Sequence, residues 1–229
     1  MNLFKKYKFY GKEEIERKAN EVLRIMEAEN FPPRWPFDAT RAADALELRV
    51  NWARIASDNG GLIVAKIEPL ERRITLNQNI PELRGGFEQS TVAHEIGHWV
   101  LHINQDEADG LIEQLELSLG MEDAVRLFLC RSAGDKLHKA LIKSQLDKIE
   151  WQAQYFAGCL LMPRYILEEK RRSRDLTNWR HLYALQEELG VTISNLTYRL
   201  QDLGWIYIPK GSKQIYPGKA APNGQTKLF

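Results

Sequence analysis

The segment His94-Glu95-Ile96-Gly97-His98 places two histidines four residues apart in a strongly apolar stretch. On a helix, residues four apart stand one turn above the other on the same face, so both imidazoles can bind one metal ion. The helix is predicted to be buried, because its other residues are mostly apolar: Val92, Ala93, Ile96, Trp99 and Val100. Unpartnered polar rings in a core are costly. The pattern therefore favours a metal site on a central helix over a surface helix with two chance histidines.

Glu95 has the position of a catalytic base in this pattern. It is rotated by about 100° from His94 around the helix axis, so it does not share the ligand face but can reach a water bound to the metal. Two imidazoles with a carboxylate that accepts a proton from water are typical of zinc metallopeptidases. Gly97 is a poor helix former, and its lack of a side chain would let another element approach closely.

A catalytic zinc site needs a third protein ligand, with the fourth position left to water. His102 follows His94 by about 12 Å along a continuous helix, which is too far for a shared ion. We interpret it as a packing residue or as a partner of a ligand. Many carboxylates follow, and among them Glu150 stands at the start of a predicted helix whose small residues, Ala153 and Ala157, would allow close packing. Spacing alone does not select it.

Gln154 and Tyr155 follow Glu150 on the same predicted helix. Gln154, one turn after Glu150, could hydrogen-bond a ligand histidine and fix its tautomer. An oxyanion that develops during peptide hydrolysis would need a further donor. Tyr155 and His102 are the candidates for that role.

Two segments, 91–102 and 150–163, together resemble the ImmA/IrrE family of metallo-endopeptidases. That family pairs an A-H-E-x-G-H-x-x-x-H helix with a later E-x-x-A-[ND]-x-F-A-x-x-L-L-M-P helix. The resemblance extends over about residues 38–205, and Gln154 stands where the family usually has Asn or Asp. It implies a zincin-like core, with one zinc ion per chain on His94, His98 and Glu150 and with Glu95 as the general base.

The resemblance also implies a substrate. Family members typically cleave a helix-turn-helix repressor, often encoded nearby, and so release genes for stress responses or mobile elements. We therefore expect a zinc-dependent endopeptidase that acts in transcription regulation by limited proteolysis. The alternative is a non-catalytic transcriptional regulator or interaction module with a structural zinc site. A structural zinc would more often include cysteine ligands, and neither Cys130 nor Cys159 lies beside the histidine motif.

Periodicity predicts an α+β fold: a zincin-like core with a small, largely antiparallel sheet and an active-site helix, followed by an α-helical C-terminal portion. The predicted helices are 12–28, 39–46 and 89–102, two or three within 106–162, and a helix-turn-helix-like pair at 179–189 and 194–203. The predicted strands are 48–55, 62–68 and 73–77, the first two separated by a strong turn signal at 57–61. The predicted domains are a peptidase domain, 1–169, with a helical insertion at about 106–147, a helix-turn-helix-like segment, 170–208, and a flexible tail, 209–229.

A basic run precedes the C-terminal helix pair: Lys170, Arg171, Arg172 and Arg174. These side chains could contact nucleic-acid phosphates. The alternatives are a packed helix pair or a docking surface for the repressor, and we favour these over DNA binding.

Composition limits which partners and which cellular location the sequence favours. The 32 basic residues nearly balance the 31 acidic ones, so the overall net charge of +1 does not direct the chain to nucleic acid or to a membrane surface. The sequence has no apolar run of membrane-spanning length and no secretion signal, and both cysteines are interpreted as buried thiols. These features predict a cytoplasmic protein.

Overall fold

The computed structural model describes residues 5, 8–57, 61–105, 129–131 and 140–218, and it has a mixed α+β fold. Its helices are α1 Lys12–Ala28, α2 Ala39–Ala45, α3 Gly86–His102, α4 Ala140–Leu161, α5 Arg164–Lys170, α6 Trp179–Leu189 and α7 Ile193–Asp202. Its strands are β1 Arg49–Ala53, β2 Ile63–Glu68, β3 Arg73–Asn77, β4 Leu129–Arg131, β5 Ile206–Tyr207 and β6 Tyr216–Pro217. Within these ranges, no helix has both the length and the apolar character needed to cross a membrane.

The main sheet has the strand order β1-β3-β2-β4. β3 pairs antiparallel with β2 and parallel with β1, whereas β2 pairs antiparallel with β4. The strands on either side of the turn signal at 57–61, β1 and β2, are not neighbours in the sheet, because β3 lies between them. A short turn at Pro69–Glu71, completed by Arg72 at a φ of 44°, sets β2 directly against β3. β1 therefore pairs on the far side of β3, where Val50 lies opposite Ile74.

Strand β4 corrects the prediction of an all-helical insertion at 106–147. Residues 129–131 extend the sheet beside β2, so Cys130 lies in a strand and not in a helix. Residues 140–147 form the first turns of α4, the helix that carries Glu150. The other residues of the predicted insertion lie outside the described ranges.

Helix α3 is the centre of the fold, and almost all of its residues are buried. It packs against the sheet through β2 and most extensively against α4. A Cβ atom built on Gly97 would lie 2.9 Å from the carbonyl oxygen of Ala153 and 3.2 Å from the Phe156 ring. The glycine and the small residue opposite it therefore set how closely the two helices approach.

Replacing Gly97 with alanine is expected to destabilise the protein by about 1–3 kcal/mol, because the added methyl group would push α4 away from α3. Alanine is the better helix former, so helix propensity alone predicts that the substitution would stabilise the protein. Gly158→Ala is the matched control, because its Cβ would meet only the Arg199 side chain at 4.0 Å. Urea unfolding of both variants measures the difference. Equal stability changes in the two variants would contradict the close contact.

The pair of helices α6 and α7 packs against the rest of the chain. The Phe37 amide donates a hydrogen bond to the Leu189 carbonyl at 3.2 Å, and a Cβ built on Gly86 would lie 2.5 Å from the Val191 carbonyl carbon. Leucines of both helices belong to the same buried core as α3 and α4. The turn between α6 and α7 thus lies against the start of α3.

The first part of the predicted tail, 209–229, contains a short strand. Strand β6 pairs with β5, and Ile215 is buried because its apolar side chain joins the core. Residues 219–229 lie outside the described part of the chain.

The Glu68 carboxylate connects β2 to β3. Lys66 Nζ, Arg73 Nε and Thr75 Oγ1 donate hydrogen bonds to it at 2.7, 2.9 and 2.8 Å. Burial alone would raise the pKa of Glu68, but these three donors outweigh burial and lower it to about 2 from an ordinary 4.5. The carboxylate therefore stabilises the fold above about pH 4.5, and this contribution is lost as the pH falls from there toward 2.

Glu68→Gln is expected to lower the free energy of unfolding by about 1–3 kcal/mol at pH 7. The loss should be smaller at pH 3, because part of the stabilising contribution of the wild-type carboxylate is already absent there. Urea unfolding at the two pH values measures this. Glu71→Gln is the control, because Glu71 pairs with the same Arg73 but is 56% exposed. A loss that is equally large at pH 3 and pH 7 would contradict the assigned ionisation.

Candidate metal centre

Helices α3 and α4 bring together the three predicted metal ligands. His94 and His98 lie one turn apart on α3, and Glu150 lies opposite them on α4. The Nε2 atoms of the two histidines are 3.0 Å apart, and the Glu150 oxygens lie 3.1 Å from His94 Nε2 and 3.5 Å from His98 Nε2. All three potential ligand atoms lie within 4.8 Å of one another. This convergence of two imidazoles and one carboxylate could hold a metal ion.

The three groups differ in electrostatics. Burial opposes a charge on both histidines, but the contact with Glu150 raises the pKa of His94, while burial and the proximity of His94 lower the pKa of His98. Burial also opposes ionisation of Glu150, yet its hydrogen bonds with the two histidines outweigh burial and lower its pKa. Neutral imidazole and ionised carboxylate are the forms that bind a divalent cation. The Glu150 side chain is 42% exposed, so the centre reaches the protein surface.

Glu95 lies between the two histidines in sequence and is fully buried. Neither of its carboxylate oxygens has a hydrogen-bond partner within the part of the chain that the structure describes. Burial, reinforced by the charge of Glu150, raises the pKa of Glu95 to about 8, although His94 acts in the opposite direction. A buried carboxyl group without a partner is costly, and a cation with its bound water would supply what it lacks. The residues present therefore fit a hydrated metal ion.

His102 and Gln154 each contact one of the histidines. The Nδ1 atom of His102 lies 3.2 Å from Nδ1 of His98, and burial lowers the pKa of His102 to about 3. A hydrogen bond with the Gln154 side chain contributes to the raised pKa of His94. Both residues therefore lie next to the centre but outside the group of three converging ligand atoms.

Tyr155 lies in a different environment. Its hydroxyl accepts a hydrogen bond from Arg199 Nη1 at 3.3 Å, and its ring stacks on Trp151. These contacts connect α4 to α7 and do not involve the candidate ligands. The structure thus gives Tyr155 a packing environment, and its predicted role as an oxyanion donor stays a prediction.

Arg199 is a buried residue that the sequence analysis missed. It is 2% exposed, and its guanidinium donates to Glu16 at 2.9 Å and to the Met162 carbonyl at 3.4 Å. It thereby connects α1 and α7 to the end of α4. Its place between Leu196 and Leu200, on the apolar face of a predicted helix, was the signal that could have identified it.

The basic run before the helix pair is largely engaged with neighbouring side chains. Lys170 pairs with Glu188 at 3.2 Å, Arg174 pairs with the same carboxylate, and Arg171 lies over the Trp205 ring at 4.0 Å. Arg172 is exposed. These contacts give three of the four residues a role in attaching α5 and the following loop to the C-terminal part of the chain.

A comparison with known protein families matches the part of the chain that contains Glu150. Residues 126–201 match the Peptidase M78 family, the IrrE N-terminal-like domain. This match confirms the resemblance to the ImmA/IrrE family. The matched Peptidase M78 segment contains Glu150, helices α4–α6 and all but the last residue of α7, and it begins after α3, the helix with the two histidines. The match supports a metallopeptidase. The comparison with curated proteins finds no match for the chain.

Proposed function

We propose that the protein is a zinc-dependent endopeptidase in which His94, His98 and Glu150 hold one zinc ion per chain and Glu95 acts as the general base. The observation that carries this proposal is the buried Glu95 carboxylate, which has no hydrogen-bond partner among the described residues, beside three converging ligand atoms. The family match over 126–201 supports the same chemistry.

Two histidines and one carboxylate suit zinc, because imidazole nitrogen and carboxylate oxygen are common ligands of catalytic zinc. When bound, a zinc ion lowers the pKa of a bound water and polarises the carbonyl group of the scissile peptide bond. The Glu150 side chain is 42% exposed, which supports access of a polypeptide substrate to this chemistry.

Glu95 moves the protons of the reaction. One carboxylate oxygen accepts a proton from the attacking water, and the same oxygen delivers that proton to the amide nitrogen as the carbon–nitrogen bond breaks. The products are a carboxylic acid and an amine, between which the remaining proton of the water passes to give a carboxylate and an ammonium group, and Glu95 returns to its starting state. Its low-polarity environment strengthens the carboxylate as a base, because burial disfavours its charged form.

We further propose that the substrate is a helix-turn-helix repressor and that its cleavage regulates transcription. This part rests on the family resemblance. The turn between α6 and α7 packs against the start of α3, the helix that carries the proposed catalytic base. This contact supports a role for the helix pair in substrate docking.

The test is incubation of the zinc-loaded protein with helix-turn-helix repressors encoded beside its gene, followed by mass spectrometry of the fragments. We expect one or a few defined cuts in one repressor, and none with Glu95→Gln. Intact repressors, together with no cleavage of a proteome-derived peptide mixture, would contradict the peptidase. Cleavage of peptides without cleavage of any repressor would contradict only the proposed substrate.

A further inference from the structure

His98 and His102 form a direct pair on α3. Their Nδ1 atoms are 3.2 Å apart, and their ring centroids are separated by 5.3 Å. Both rings are buried, with 1% and 7% of their surfaces exposed. Two facing lone pairs repel each other, so a nitrogen–nitrogen contact at this distance requires either a proton between the two atoms or a cation that both atoms bind. His102 lies outside the group of converging ligand atoms, so a proton is the requirement for this pair.

The position of that proton follows from the opposite side of the His98 ring. His98 Nε2 faces His94 Nε2 at 3.0 Å and Glu150 at 3.5 Å, within the group of ligand atoms. A nitrogen that binds a cation must present its lone pair. A neutral imidazole has one N–H, so the proton of a metal-binding His98 is on Nδ1. His98 Nδ1 then donates, and His102 Nδ1 accepts.

We propose that His102 is a positioning residue for the metal centre: its Nδ1 accepts the hydrogen bond from His98 Nδ1–H and fixes the tautomer and ring orientation in which His98 Nε2 can bind metal. The inference rests on the metal site proposed above. It assigns to His102 neither metal ligation nor contact with the substrate.

The fold holds His102 itself in place. It is the last residue of α3, and its carbonyl oxygen accepts a hydrogen bond from the Lys5 amide at 2.9 Å. The His102 ring lies one helical turn after His98, which brings its Nδ1 atom next to His98 Nδ1. Partners of this kind change metal affinity by about 10–100-fold when they are removed.

The first test is the zinc dissociation constant, measured with free zinc ions in competition with a chromophoric chelator. His102→Leu removes the acceptor, whereas His102→Asn places the Oδ1 oxygen close to the former Nδ1 position. We expect about 10–100-fold weaker binding for the leucine variant and recovery of most of that loss in the asparagine variant. Wild-type affinity in His102→Leu, or an equal loss in both variants, would overturn the assignment. Absence of zinc binding by the wild type would instead contradict the proposed function.

The second test uses the unsubstituted protein and so does not depend on the folding of a variant. Nitrogen NMR of histidine-labelled protein, with and without zinc, reports which ring nitrogen carries the proton. We expect His98 protonated on Nδ1, His102 protonated on Nε2, and a coupling between the two Nδ1 nuclei across the hydrogen bond. A proton on His102 Nδ1 would overturn the assignment.

Discussion

Replacing Glu95 with glutamine is expected to reduce the turnover of a cleaved peptide by at least about 10²–10⁴-fold while one zinc ion per chain is retained. Glutamine has the same shape, but its amide cannot accept the proton from the attacking water. The three ligand groups are unchanged, so metal binding should persist. Steady-state kinetics with a peptide substrate, with zinc content measured on the same sample, tests both parts.

The stability of this variant provides the control. Glu95 is fully buried and its oxygens lack partners in the described structure, so its removal should not destabilise the metal-free protein. We expect a melting temperature of the metal-free variant equal to or above that of the wild type. Activity lost together with stability would indicate a damaged fold, and cleavage that persists would contradict the role of Glu95 as the base.

Replacing Glu150 with alanine is expected to weaken zinc binding by about 100-fold or more, since a structural zinc site gains about 10–16 kcal/mol from all of its ligands together. The loss should appear as lower zinc retention after dialysis and as a parallel loss of peptidase activity. Both imidazoles remain, so residual weak binding is expected. Mass spectrometry of the intact, folded protein gives the number of zinc ions per chain.

Asp147→Ala is the matched control for this experiment. Asp147 is an exposed carboxylate on the same helix, one turn before Glu150. It lies outside the converging group of ligand atoms, so its variant should retain zinc and activity. Equal zinc retention by the Glu150 and Asp147 variants would assign the third ligand to a different residue.

Local patterns in the sequence predicted several helices closely. The bounds of 12–28 and 179–189 match α1 and α6, because amphipathic spacing and clear end signals define both helices. Pro163 ends α4 as expected, since proline cannot continue a helix. Gly97 was predicted to permit a close approach, and the contact with Ala153 confirms it.

Features set by contacts distant in sequence could not be predicted in the same way. The position of β3 between β1 and β2 depends on which strand edges meet, and a turn signal at 57–61 carries no such information. Strand β4 has only three residues and is paired from far along the chain, so its periodicity is too short to distinguish it from a helix.

In the candidate site, too, local spacing predicted some features, whereas others depend on contacts between residues distant in sequence. The relation of His94 to His98 follows from helix geometry alone, whereas Glu150 could be selected only by resemblance because it lies 56 residues from His94 in sequence. The Glu95 carboxylate, which lacks a hydrogen-bond partner within the described part of the chain, and the His98–His102 contact depend on how neighbouring elements pack around α3. No spacing rule describes them.

The most direct test of the account is a crystal structure of the protein grown with zinc, with data collected on both sides of the zinc absorption edge. The account predicts one strong anomalous peak per chain, about 2.0–2.2 Å from His94 Nε2, His98 Nε2 and a Glu150 oxygen, with Glu95 facing the open side of the ion. A peak at other residues, or no peak at these three, would contradict the proposed metal centre and with it the peptidase mechanism.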